Sequence, residues 1–180
     1  MPRTIAFLRA INVGGHTVTM EVLRAQFVTL GFTDVETFIA SGNVIFTAPG
    51  KPTAALERRL EAQLQATLGY PVAAFLRTPA ELAATLAARP FPPAAQAAAG
   101  AFNVGFLKSP LTPAARARLK ALETTLDSFA AQGREVYWLC RVKQSESTFS
   151  NAVFEKALGL TATWRGINTL QRLAAKYPPG

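Results

Sequence analysis

The chain has 180 residues, 49% hydrophobic and 17% charged, with one cysteine and a formal charge of +8 at neutral pH. That composition is ordinary for one sizeable domain or two small packed ones, and it excludes a disordered chain and a disulfide-stapled scaffold. Residues 90–107 are uncharged, but Pro90, Pro92, Pro93, Gln96, Gly100 and Asn103 interrupt them, so they predict a linker entering a strand and no membrane span.

Residues 4–10 form the first predicted strand, apolar on both faces as a central strand would be. Thr19 then caps a helix whose Met20, Leu23, Phe27 and Leu30 share one stripe, closed by Gly31. Strands over residues 35–40 and 44–47 follow, joined by a tight turn at Ser41-Gly42-Asn43. Thr53 caps a helix with Leu56, Leu60, Leu64 and Leu68 inward and Gly69 at its end. Glu57 and Glu61 share a face of that helix, interspersed with Arg58 and Arg59, and read as a solvated surface. A strand over 72–77 leads to Thr78-Pro79-Ala80-Glu81, a capping box with proline at the first helical position.

After the Pro- and Ala-rich stretch 89–100 the pattern recurs. Residues 101–108 are a strand, Thr112-Pro113 opens a helix, and two strands turn around Gln132-Gly133-Arg134. Cys140 alternates with Val136, Trp138 and Val142, which predicts a buried structural thiol. A helix with Phe149, Val153 and Leu158 ends at Gly159, and a basic helix covers about residues 164–176. FLRA at 7–10 recurs as FLKS at 106–109, and ASGN at 40–43 as AQGR at 131–134, which points to an internal duplication.

This order predicts an α+β fold of two ferredoxin-like (βαββαβ-type) halves, helices packed on antiparallel sheets, over residues 1–90 and 101–180 with 91–100 as linker. A right-handed crossover makes the second strand parallel to the first, so the 41–43 turn falls at the first strand's C-terminal end, beside the loop 12–16. Lys108 and the 132–134 turn share the matching edge of the second half.

Arg9 ends an otherwise apolar strand, so it must be paired, with a local acid such as Glu36, or face a ligand. Gly14 and Gly15 could present N–H groups to an anion or simply form a turn, and Ser41 and Asn43 are also ordinary turn residues. The runs FLRAINVGG (7–15) and ASGNVIF (40–46) closely resemble the bacterial family called domain of unknown function 1697. The resemblance implies the same two-part α+β build and carries over Arg9, Asn12, Gly14 and Gly15 as one motif and Ser41, Gly42 and Asn43 as another. The family's C-terminal motif, Thr-Arg-Asn-Trp-Asn-Thr, is matched at Arg165, Asn168 and Thr169. Gly166 and Ile167 replace its central Asn and Trp, losing a polar group and an aromatic platform.

With one histidine, His16, and a buried cysteine, no metal site or cofactor is expected, and no standard catalytic constellation is assembled. The first expectation is a binding module for a phosphate- or carboxylate-bearing ligand, at Arg9, Asn12, Gly14, Gly15, Ser41, Asn43, Arg165 and Asn168. The alternatives are an enzyme acting on a phosphorylated or carboxylated metabolite between the halves, and a nucleic-acid-binding accessory protein. Residues 91–180 hold eleven basic side chains against five acidic, against eight and six in residues 1–90, so nucleic-acid binding would be weak and salt-dependent. A continuous basic stripe through Lys108, Arg134, Arg141, Arg165 and Arg172 would favour that last reading. The chain is expected to be cytoplasmic, and nothing in the sequence sets an oligomeric state.

Overall fold

A computed structural model describes residues 3–9, 17–39 and 42–180. The chain divides into two compact units, residues 1–84 with 172–180, and residues 85–171. Each is α+β with the ferredoxin-like arrangement. The first contains β1 (Arg3–Leu8), α1 (Met20–Thr29), β2 (Thr33–Thr37), β3 (Asn43–Thr47), α2 (Ala54–Leu68) and β4 (Ala74–Arg77), in sheet order β2-β3-β1-β4. After α3 (Pro79–Ala87) and α4 (Pro93–Ala97), the second contains β5 (Ala101–Phe106), α5 (Pro113–Ala121), β6 (Asp127–Gln132), β7 (Glu135–Cys140), α6 (Asn151–Leu158) and β8 (Thr163–Gly166). Its order, β6-β7-β5-β8, repeats the first, and α7 (Ile167–Lys176) follows. The short helix α4 lies within the stretch expected as linker.

Local chemistry sets the helix starts. Thr19, Thr53 and Thr112 accept hydrogen bonds from the N–H groups of Val22, Leu56 and Ala115 at 3.1, 3.2 and 3.1 Å. The Thr78–Glu81 capping box closes in both directions, at 2.8 and 3.0 Å. The first helix-facing core gathers Leu23, Phe27, Phe46, Leu60 and Leu64, with Phe32 stacked on Phe46 at 4.6 Å. The second surrounds Trp138 and Phe149, their rings 4.7 Å apart. Cys140 is fully buried there, and burial pushes its thiol pKa up, as befits a structural cysteine. Because β1 is apolar on both faces, the face turned away from α1 and α2 is also buried, at Ile5, Phe7, Ile45 and Phe75.

Three elements differ from expectation. The strand expected over 35–40 stops at Thr37, because Ile39 takes φ +52, a left-handed conformation a β-branched residue rarely adopts. The hairpin is closed by the Phe38 N–H on the Asn43 carbonyl, 3.0 Å, across a longer loop than the tight turn expected. Residues 164–166, expected to begin the last helix, instead belong to the edge strand β8, and α7 starts at Ile167. Gly166 is a poor helix residue, and Trp164 and Arg165 point to opposite faces as a strand requires.

A fourth difference concerns Glu57 and Glu61. An edge strand presents N–H groups with no ladder partner, and here two carboxylates one helical turn apart answer them. Glu61 accepts from the Ala74 N–H and Glu57 from the Leu76 N–H, both at 2.9 Å. Glu57 is only 6% exposed, so this is no solvated face. In the second unit Glu155 accepts from the Ala162 N–H, 3.0 Å, just before β8.

Glu57→Ala strips the Leu76 N–H of its acceptor inside the fold and is expected to destabilise by about 1–3 kcal/mol. Amide exchange should accelerate at Leu76, and unchanged exchange there would refute the assignment. Gly105 faces Trp164 across β5 and β8, and a Cβ on it would lie 2.9 Å from the indole ring. Phe149, Phe154 and Trp138 hold that indole from other sides, so Gly105→Ala is expected to lower stability by about 1–3 kcal/mol in urea unfolding.

Candidate functional site

The crossover places the end of β1 against the β2–β3 hairpin. Phe7 pairs with Asn43, and the Leu8 N–H donates to the Gly42 carbonyl at 2.9 Å. On the other side, the Arg9 N–H donates to the Ala73 carbonyl at 2.9 Å, so Arg9 leaves the sheet between the hairpin and the entry to β4. Its side chain is half-buried. The parts of the two N-terminal motifs that are described therefore meet at one end of the first sheet.

Asn43 is buried, and its Nδ2 donates to the Phe38 carbonyl at 3.0 Å, which pins the loop. Gly42 has φ +76, a conformation glycine supplies without strain. Asn12, Gly14, Gly15 and Ser41, together with His16, lie outside the described residues. Arg165 sits in β8 and is 9% exposed, with Nη1 donating to Thr163 Oγ1 and to the Trp164 carbonyl, both at 2.8 Å. Burial lowers its pKa to about 10, which leaves it cationic at neutral pH. Asn168 is exposed on the first turn of α7. Neither belongs to the first unit. Since Arg165 is buried, no surface stripe runs through it.

Glu36 was the acid available for a local pair with Arg9. The structure gives it instead to Arg3, at 3.1 Å, and to the Tyr177 hydroxyl, at 2.5 Å. Phe38 packs edge-on to Tyr177, with the Arg172 and Lys176 cations over its ring at 5.9 and 5.7 Å. The sequence reading missed this cluster, since its members are some 140 residues apart and no local pattern links them.

Beside it, between the start of α1 and the end of β2, is a concavity of about 410 Å³ lined by Met20, Arg24, Val35, Thr37 and Lys176, with Glu21 and Glu36 also on its wall. Its position follows from topology: α1 begins just after the β1 loop, and β2 runs parallel to β1, so both come to the same end. The strand β3 separates β2 from β1, which puts this wall roughly 10 Å from Arg9. Among the described residues, no group of His, Cys, Asp and Glu is placed to hold a metal ion, and no helix is long and apolar enough to cross a membrane.

These features define an α+β protein of two ferredoxin-like units, in the first of which the end of β1 meets Gly42 and Asn43 of the hairpin at one end of the sheet. The chain belongs to the DUF1697 family, proteins of unknown function, whose model matches residues 1–137. The match includes both N-terminal motifs and stops short of residues 164–169. Among solved structures, a conserved bacterial protein, SP0830, from Streptococcus pneumoniae is similar at 23% identity and a TM-score of 0.78, over 99% of each chain, which shows the shared fold. A search of the curated proteins finds no match.

The Tyr177 hydroxyl and then Arg3 hold the Glu36 carboxyl below its usual range, while burial and then the Glu36 carboxylate push Tyr177 up to about 12. Burial likewise raises Tyr137 to about 12 and raises Tyr70. A raised tyrosine keeps in the fold a proton that the unfolded chain loses above pH 10. Its contribution is complete below pH 10 and lost as pH climbs to about 12. The depressed Glu36 acts oppositely, stabilising above pH 4.5 and failing as pH falls through its lower folded value. Tyrosinate absorbance of the folded protein should therefore show no step at pH 10. Tyr177→Phe should destabilise by about 1–3 kcal/mol at neutral pH and remove part of the alkaline loss; a step at pH 10 in the native protein would contradict this.

Proposed function

We propose that the protein is a binding module for a small anionic ligand, phosphate- or carboxylate-bearing, taken at the end of the first sheet around Arg9. The observation that carries this reading is the hydrogen bond from Leu8 to Gly42, which brings the Arg9 motif and the hairpin motif to one edge. Both lie inside the segment matched by the family model. The local charge agrees. Arg24 and Lys176 line the adjoining concavity and Arg172 lies over Phe38, while Glu36, one of the two carboxylates on the wall, is already engaged by Arg3 and Tyr177. Clustered cations of this kind favour an anion electrostatically and raise its rate of encounter.

Thermal melts of the wild type and Arg9→Ala against inorganic phosphate, ribose 5-phosphate and citrate test the reading. At least one of these should raise the melting temperature of the wild type, and Arg9→Ala should abolish that rise with little change in its own stability. The opposite pattern would overturn it: no probe stabilises the wild type, and Arg9→Ala alone loses about 1–3 kcal/mol because the arginine serves the fold.

A further inference from the structure

Each sheet has two edge strands, and an edge presents backbone N–H and C=O groups that no ladder answers. Three of the four edges are answered by side chains. Glu57 and Glu61 meet β4, and Glu155 meets the N–H that precedes β8. Along β6, the Asp127 N–H donates to Thr124 Oγ1 at 3.0 Å, the Phe129 N–H to Glu123 at 3.1 Å, and Arg116 Nη1 to the Ala131 carbonyl at 3.2 Å. The fourth edge, β2, receives no side-chain hydrogen bond on its backbone among the described residues. Its ladder bonds fall on Glu36, paired with Ile45, and continue to the Phe38 N–H on Asn43. The groups between them, the Val35 carbonyl and the Thr37 N–H and carbonyl, therefore point outward.

A groove runs along this open edge. Two hollows of about 410 and 670 Å³ between α1 and β2 share Glu21, Arg24 and Val35, so they form one channel. Its helical wall carries the stripe Met20, Arg24 and Val28, and Met20 and Val28 are 44% and 56% exposed, apolar side chains left in water. Successive members of that stripe rise about 6 Å along the helix. Alternate residues of a strand are roughly 6.6 Å apart, so an added strand keeps step with it. Of the charges on the walls, Glu36 is engaged by Arg3 and Tyr177, and Asp34 accepts from Thr47 Oγ1 at 3.2 Å. Glu21 and Arg24 have neither hydrogen bond nor ion pair among the described residues. With Lys176 on the wall as well, two cations stand against Glu21, and the channel favours an acid.

We propose that β2 takes an added strand, an extended peptide segment of a partner protein with the pattern aliphatic-x-acidic-x-aliphatic. Its backbone bonds Val35 and Thr37, its aliphatic side chains pack on Met20 and Val28, and the acid between them meets Arg24. The pattern is symmetric and serves either strand direction. A second copy of this chain fits less well. Antiparallel pairing of β2 with its copy sets Glu36 opposite Glu36, or Asp34 opposite Glu36, in the registers centred on Glu36 and Val35, and like charges there repel. The bulge between Thr33 and Glu36 also confines regular pairing to a few residues, which suits a short segment. The site does not involve Arg9, so it is separate from the anion site proposed above.

Fluorescence polarisation of the full chain with a labelled, end-blocked Thr-Val-Thr-Glu-Thr-Val-Thr peptide tests this. The probe should bind with a Kd below about 1 mM, and amide exchange at Thr37 should slow when it does. A probe with proline in place of the two inner threonines cannot form the ladder and should bind at least about tenfold more weakly. Lysine in place of the glutamate should weaken binding about fivefold, and Arg24→Glu should reverse that preference. Val28→Asp should weaken the glutamate probe about tenfold. Arg24 and Val28 are exposed, so both variants should melt with the wild type, and the ranking of the three probes on the wild type needs no variant. Failure of the glutamate probe to bind below about 1 mM, equal binding of the proline or lysine probe, or affinity unmoved by Val28→Asp would each overturn the proposal. So would protection of the Thr37 amide that grows with protein concentration alone, which would give the edge to a second copy.

Discussion

The pairing of β1 with β3 on one side and β4 on the other is the constraint on which the first unit depends. A strand apolar on both faces cannot lie at an edge or face water, so it takes the sheet centre and forces cover on both faces. With β1 central, the crossover through α1 must bring β2 to the far side of β3, and the hairpin loop then falls at the C-terminal end of β1. The meeting of Leu8 with Gly42 is thus a consequence of topology before it is a feature of any site. In the second unit β5 repeats the arrangement, with the Leu107 N–H on the Arg134 carbonyl at 2.9 Å. Gly42 and Arg134 therefore play the same part, one residue out of register with the alignment of ASGN on AQGR, because the β6–β7 turn is shorter than the β2–β3 loop.

What could be read from the sequence was what local chemistry decides. Threonine caps, the capping box at Thr78, the left-handed glycines at 69 and 159 and the alternation that buries Cys140 all act within a few residues, and all are formed. What escaped was set by partners distant in sequence. Glu57 and Glu61 resemble any charged helix face until β4 is placed beside α2 with its N–H groups outward. The strand β8 is short, and its Trp164 and Arg165 suit a helix as well as a strand until β5 offers a ladder. Ile39 gives no sign in its residue type of a positive φ.

The candidate site was legible to the same degree. The meeting of the end of β1 with Gly42 and Asn43 followed from the order of elements, since handedness needs no side-chain detail. The fate of individual charges did not follow. Glu36 was free on paper to pair with Arg9, yet the chain brings Tyr177 and Arg3 to it, and only the third dimension shows that choice. Arg165 counted toward a basic surface in the sequence, whereas its backbone neighbours withdraw it from solvent. Net charge describes the field a ligand meets only after such residues are removed from the sum.

Arg165 has a counterpart that motif comparison did not find. Arg77, on β4, is 1% exposed and pairs with Ile5 of β1, while Arg165, on β8, pairs with Val104 of β5. Ile5 lies two residues before Phe7 and Val104 two before Phe106, so the arginines hold equivalent register positions. Each also donates from Nη1 to the carbonyl of the residue before it, Leu76 at 2.9 Å and Trp164 at 2.8 Å. Burying a guanidinium is costly unless its donors are met, and a site that meets them through backbone geometry can recur wherever the backbone recurs. Recurrence of the same burdensome residue, register and acceptor in two sheets is harder to reach by convergence than a repeated glycine turn. It therefore supports a duplicated unit more strongly than the short sequence matches do, and it gives these two arginines a role in holding the edge strands that needs no ligand.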